Sequence, residues 1–158
     1  MFMAGLILVF STAMFFFYWQ VTVQKILRRS FERAYFQVIA TANQLEFPAL
    51  RAALESPNGK VDYAHLRQNI KCDYQALTYL LKNACNTKQS YSREERLLMV
   101  YFRMALFSLS VRHALKLGEK SSAMNLASVL QYFANVVGER VDSVRMGNLS
   151  AADYILSL

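Results

Sequence analysis

The sequence predicts an all-α protein in which a single N-terminal transmembrane helix continues into a small cytoplasmic bundle of about four to six helices. Three observations predict this class. The first 24 residues contain no Asp, Glu, Lys, Arg or His; the 158-residue chain has only five Gly and two Pro, with 54% apolar residues; and apolar residues recur at three- and four-residue steps through the remainder. Few helix breakers and a helical apolar period together favour helices over strands.

The opening segment is predicted to be an uncleaved membrane anchor, residues 1–24. Its apolar run, residues 4–23, covers about 20 residues and spans about 30 Å at a rise of 1.5 Å per residue, which matches a hydrocarbon core. A secretion signal would begin with positive charge and end at a small-residue cleavage site, and this segment has neither. A core helix of a soluble domain seldom lacks a polar face over this length.

The charges that follow the anchor predict its orientation. Four cations come directly after it: Lys25, Arg28, Arg29 and Arg33. Because positive charge stays on the inner side, we expect an external N-terminus and a cytoplasmic C-terminal domain, as in a bacterial inner membrane or its topological equivalent. With Tyr18 and Trp19, whose amphipathic rings favour the interface, these cations form a predicted membrane-interface cluster that contacts anionic lipid headgroups.

The positions of the two cysteines are consistent with a cytoplasmic domain. Cys72 and Cys85 lie in one predicted helix, about 20 Å apart, which is beyond disulfide reach. Free thiols are typical of a reducing compartment.

The anchor is expected to continue as a juxtamembrane helix over residues 25–46, because no Gly or Pro occurs from Gln24 to Gln44. The remaining residues, 47–158, are predicted to form one cytoplasmic α-helical domain. Pro48 fits the first turn of a short helix, and Asp62 fits the N-cap of a longer one that ends near Cys85.

Local signals also mark the last helices. Ser92 and Glu95 match a capping box that starts a helix ending at Gly118. A further helix is expected from about Ser122 to Arg145, ended by Gly147, and a final short helix begins at residues 150–153.

Residues 97–117 are expected to form the central helix of the domain, because residues 97–111 are apolar on all sides except for Arg103 and two serines. Arg103 also argues against a second membrane span. Arg96, Arg103 and Ser110 recur every seven residues and form a candidate polar seam, either solvated or paired with a carboxylate such as Glu46, Asp73 or Glu94.

The helix from Ser122 to Arg145 is expected at the surface. Its polar side chains share one face: Ser128, Gln131, Asn135, Glu139 and Asp142.

No motif predicts catalysis, a cofactor or a metal. The chain has no nucleophile elbow, phosphate-binding glycine loop or zinc-ligand spacing, and its histidines, His65 and His113, are interpreted as surface residues. The basic and aromatic stretch at residues 28–36 is explained by its position after the anchor, so nucleic acid is not a predicted partner. The leading hypothesis is a noncatalytic single-pass accessory or scaffold subunit that joins other membrane-protein subunits and docks cytoplasmic partners. The alternative is a membrane-surface regulator or sensor that binds anionic lipid or a small ligand; an enzyme is the last choice.

Overall fold

The computed structural model describes residues 2–57, 61–83 and 91–156, with side chains described only between residues 3 and 145. These residues form six α-helices and no strand, which confirms the predicted all-α class. The helices are α1 (Phe2–Leu27), α2 (Phe36–Ala42), α3 (Phe47–Glu55), α4 (Tyr63–Asn83), α5 (Arg93–Ala114) and α6 (Lys120–Leu156). The chain divides into two compact units, Met1–Ser30 and Phe31–Leu158.

The first unit consists of α1 and the residues that follow it. Helix α1 is long and apolar enough to cross a membrane, by criteria that a signal sequence or a buried core helix also meets. Its Thr12 and Thr22 hydroxyls donate hydrogen bonds to carbonyls four residues earlier, at 2.7 and 2.8 Å. These bonds satisfy the hydroxyl donors within the helix itself.

The predicted continuation of the anchor as one helix over residues 25–46 is wrong. Helix α1 ends at Leu27, residues 28–35 lie outside helices, and α2 begins only at Phe36. The reason is a tertiary cap: the Phe36 backbone N–H donates to Oδ1 of Asn135 at 2.9 Å. In an uninterrupted helix that N–H would bond to the carbonyl four residues earlier, so the α6 side chain starts a new helix instead.

The short helix α3 is also capped by a side chain from another helix. Pro48 lies in its first turn, as predicted. Its N-terminal amides, those of Glu46 and Phe47, donate to Oδ2 of Asp73 at 3.0 and 2.7 Å. Asp73 is buried on α4, so the cap comes from another helix and also fixes α3 against α4.

Helix α6 occupies the centre of the second unit, and α2, α3, α4 and α5 all pack on it. The expectation that residues 97–117 form the central helix, with α6 at the surface, is therefore wrong. The polar face of α6, which was expected to face solvent, instead bonds to other parts of the domain. Asn135 caps α2, Gln131 accepts a hydrogen bond from Arg51 of α3, and Asp142 accepts one from Tyr35. Small residues allow this close approach, since Gly138 lies directly beneath the Tyr35 side chain.

The predicted stop of α6 at Gly147, followed by a separate short helix, is also wrong. One helix of 37 residues runs to Leu156. A single glycine inside a helix costs only about 1 kcal/mol, which a long helix tolerates.

The predicted starts of α4 and α5 are confirmed. Helix α4 begins directly after Asp62, with His65 and Cys72 exposed, while Cys85 lies outside the described residues. Ser92 and Glu95 form the capping box at the start of α5. Helix α5 ends at Ala114, and Lys116 at φ 53° follows it in the left-handed conformation that closes the last turn.

Candidate functional site

Helices α4 and α5 run antiparallel beside one another, and stacked aromatic rings join them at two levels. Tyr63 stacks on His113 with ring centroids 3.7 Å apart and planes 2° from parallel. Tyr74 stacks on Phe102 at 4.0 Å and 6°. The two levels are about 11 residues apart on each helix, or about 16 Å. Because flat rings fill the space at both levels, the backbones between them stay apart and leave a groove.

The groove has a volume of about 450 Å³ and combines an aromatic and aliphatic floor with a cationic rim. Its apolar lining residues are Tyr74, Phe102, Leu106 and Phe107, and its polar ones are Arg67, Lys71, Gln75, Arg103 and Ser110. Three of these side chains are cations and none is acidic. We call this set the α4–α5 groove.

The three cations are exposed and come from both helices. Arg67 and Lys71 lie one turn apart on α4, about 6 Å along its axis. Arg103 comes from α5; burial raises the pKa of Tyr74, and the nearby positive charge of Arg103 partly offsets this rise. No carboxylate in the described part of the chain forms a salt bridge with any of the three.

The structure brings two of the three predicted seam residues into this groove. Arg103 and Ser110 line it, whereas Arg96 is exposed outside its lining. The Ser110 hydroxyl donates to the Leu106 carbonyl at 3.1 Å.

The carboxylates considered as partners for Arg103 are engaged elsewhere. Asp73 caps α3, Glu94 accepts a hydrogen bond from the Tyr132 hydroxyl at 3.0 Å, and Glu46 accepts one from Asn69. The role of the seam therefore stays a prediction.

Helix α5 also carries an exposed apolar ridge. Its members are Val100, Met104, Phe107 and Val111, exposed by 48%, 49%, 72% and 40%. Steps of four, three and four residues place them on one helix face, opposite the buried Leu98, Phe102 and Leu109. Phe107 belongs to both the ridge and the groove, so the two form one continuous surface.

A buried ion pair fixes α4 and α5 at the end away from the Tyr63–His113 stack. Arg140 of α6 donates to the Glu95 carboxylate at 2.5 Å and to the Leu81 carbonyl at 2.8 Å. Glu95 lies in the first turn of α5 and Leu81 in the last turn of α4. One side chain thereby holds both helices and sets the spacing on which the groove depends.

The predicted membrane-interface residues lie in two parts of the chain. Tyr18, Trp19 and Lys25 belong to α1, with the Trp19 ring 6.1 Å from that of Phe15. Arg28 and Arg29 follow α1, and Arg33 lies in the second unit. Their contact with a membrane interface stays a prediction.

Comparison with known proteins adds no relative: no family model, no curated protein and no solved structure matches this chain. Among the described residues, no group of three or more His, Cys, Asp or Glu side chains is placed to hold a metal ion.

Proposed function

We propose that this chain is a noncatalytic, single-pass accessory subunit of a membrane complex, and that its helical domain docks a cytoplasmic partner through the α5 ridge. The observation that carries the proposal is the ridge itself. Four apolar side chains on one face of a helix are exposed while the opposite face is buried in the bundle. Contiguous exposed apolar surface of this kind is typical of protein interaction sites.

The anchor supports the membrane part of the proposal. Leu6, Phe10 and Phe17 of α1 are exposed by 65%, 70% and 68%, and apolar side chains surround the whole helix. An apolar surface of this length is stabilised by lipid rather than by water. The cations at residues 25–33 support a cytoplasmic second unit by the positive-inside rule.

The end of α1 at Leu27 changes how the anchor can act. Residues 28–35 are not helical, so α1 and the domain do not share one continuous helix. In this proposal the anchor retains the domain at the membrane, and the ridge docks the partner. Inserting two alanines after Ser30 should leave complex assembly unchanged.

Site-specific photo-cross-linking tests the docking surface. A photoreactive amino acid is placed at Met104 or Val111 on the ridge, or at the exposed Glu55 of α3 as a control, in the full chain in its native membrane. We expect discrete protein adducts from the two ridge positions and none of the same size from Glu55. Adducts that are the same from all three positions, or absent from the ridge, would contradict the proposal.

A membrane-surface regulator that binds anionic lipid or a small ligand is the second candidate, and the three cations of the α4–α5 groove favour it. Glycerol phosphate, added to the full chain in phosphatidylcholine nanodiscs, distinguishes the regulator from the docking subunit. Saturable thermal stabilisation that disappears with Arg67→Glu and Lys71→Glu supports the regulator. The docking proposal predicts no such stabilisation.

A further inference from the structure

We infer that the α4–α5 groove binds an acidic amphipathic helix of a protein partner. In this complex the apolar face of the partner helix packs on Leu106 and Phe107, and its carboxylates pair with Arg67, Lys71 and Arg103. The inference deepens the proposed function and rests on it, because it names the chemistry of the docked partner.

Charge is the first argument. The groove lining holds three cations and no carboxylate, and no salt bridge in the described chain neutralises them. Like charges gathered along one groove repel one another, and a partner with opposite charge relieves this repulsion. Complementary charge across an interface also speeds association and excludes the wrong partners.

The arrangement of the cations is the second argument. Arg67 and Lys71 are four residues apart on α4, which separates them by about 6 Å along the axis. Two carboxylates four residues apart on a partner helix have the same separation. Arg103 faces them from α5, so the positive charges are distributed along the groove on both sides. A single phosphate group would instead favour donors that converge on one point.

The apolar surface is the third argument. Phe107 is 72% exposed, and the ridge continues from it to Met104 and Val111. The groove lies between two ring stacks about 16 Å apart, a length that admits about three turns of helix. An amphipathic helix in a hydrophobic groove is a recurrent mode of recognition, with anchors at three- and four-residue steps. A lipid headgroup would leave the ridge uncovered.

Peptide binding tests the inference directly. The probe is a fluorescent helical peptide of about 14 residues, with Leu along one face and Glu pairs four residues apart beside it, added to the full chain in phosphatidylcholine nanodiscs. We expect saturable binding that weakens about tenfold when every Glu is replaced by Gln, and that falls as NaCl rises from about 50 mM to about 300 mM.

Charge reversal provides the matched variants. The triple variant Arg67→Glu, Lys71→Glu, Arg103→Glu should lose the Glu peptide and bind a Lys version of it. The control is Lys82→Glu, Arg93→Glu, Lys120→Glu, which makes the same change of net charge at exposed positions outside the groove. It should bind the Glu peptide as the unaltered chain does. All six positions are exposed, so circular dichroism should show equal helix content in both variants.

Three outcomes overturn the inference: equal binding of the Glu and Gln peptides, equal loss in both triple variants, or no peptide binding. Binding of glycerol phosphate in place of the peptide, lost in the groove variant, assigns the groove to an anionic lipid headgroup and also overturns it. The failure of the proposed function is separate. If Met104 cross-links to a protein partner while the peptide does not bind, the docking function stands and only the acidic-helix inference fails.

Discussion

The guanidinium of Arg140 donates hydrogen bonds to both ends of the α4–α5 connection, to the Glu95 carboxylate at 2.5 Å and to the Leu81 carbonyl at 2.8 Å. Glu95 also accepts the Ser92 backbone N–H at 3.1 Å, so the capping box of α5 and the ion pair share one carboxylate. Both charged side chains are largely buried, with 17% and 4% of their surface exposed. This single cluster joins α4, α5 and α6.

Replacing Arg140 with Leu should therefore destabilise the helical domain strongly. The change leaves the Glu95 carboxylate buried without its cation, and breaking a buried pair in this way costs about 3–5 kcal/mol. Thermal unfolding of the full chain in micelles, followed by circular dichroism, measures the loss. Glu55→Gln is the control, because its ion pair with Arg51 is exposed and should contribute less than about 1 kcal/mol. Equal effects would show that Arg140 does not hold the bundle together.

Asp73→Ala should weaken the domain by about 1–3 kcal/mol, because two N-terminal amides of α3 lose their acceptor. Asp73→Asn retains an oxygen at that place and should cost less. Circular dichroism melts of the three proteins provide the comparison. If Asp73→Asn lowered the stability as much as Asp73→Ala does, the capping role would be contradicted.

The same carboxylate predicts a pH dependence. Burial raises the pKa of Asp73 above its ordinary value of 3.8, and the Phe47 and Glu46 amides only partly offset this. The folded state thus holds the proton more tightly than the unfolded state. The stability that this proton contributes, which is separate from the capping bonds, is fully present below pH 3.8 and is lost as pH rises through the folded pKa. Relative to Asp73→Asn, the unaltered chain should lose stability over that interval in unfolding measured against pH. A relative gain would contradict the direction of the shift.

Gly138→Ala should also destabilise the domain, by about 1–3 kcal/mol. A Cβ at this position would overlap the Tyr35 Cβ, an atom that no rotamer change can move. Adding Tyr35→Gly should restore part of the stability lost. Gly118→Ala is the matched control, since nothing lies within 4 Å of the Cβ it would add. Thermal unfolding that shows equal effects at both glycines would contradict the close packing on α6.

Leu130→Ala and Leu106→Ala test which helix is central. Leu130 of α6 is fully buried, whereas Leu106 of α5 is only half-buried in the wall of the groove. The first change should cost about 2–5 kcal/mol and the second clearly less. A larger loss of stability from Leu106→Ala than from Leu130→Ala, measured by the same thermal unfolding, would indicate that α5 is the central helix.

These elements show which features the sequence could predict. The Ser92–Glu95 capping box, Pro48 in a first turn and the start of α4 after Asp62 depend on neighbours within one turn, so the pattern along the chain contains them. The role of Asn135 could not be predicted in this way. Its side chain faces another helix instead of solvent because it caps α2, and a polar residue on a helix face gives no sign of that partner.

The candidate site was predictable only in part, for the same reason. The seven-residue spacing of Arg103 and Ser110 marked a polar line on α5, and both residues line the groove. Arg67 and Lys71 carried no signal of their own, because they are ordinary exposed cations of α4. These four residues form one surface only because α4 lies antiparallel beside α5 in the folded domain.

If the α5 ridge holds this chain in a membrane complex, changes to the ridge should alter the size of that complex on native gel electrophoresis. The ridge variant is Val100→Glu with Met104→Glu. Its control is Val38→Glu with Tyr79→Glu, which adds the same charge at apolar side chains 68% and 69% exposed on α2 and α4. We expect the unaltered chain and the control to migrate in one complex larger than the chain alone, and the ridge variant to be released from it. Co-migration of the ridge variant with the complex, or migration of the unaltered chain alone, would show that the ridge does not hold the chain in a complex.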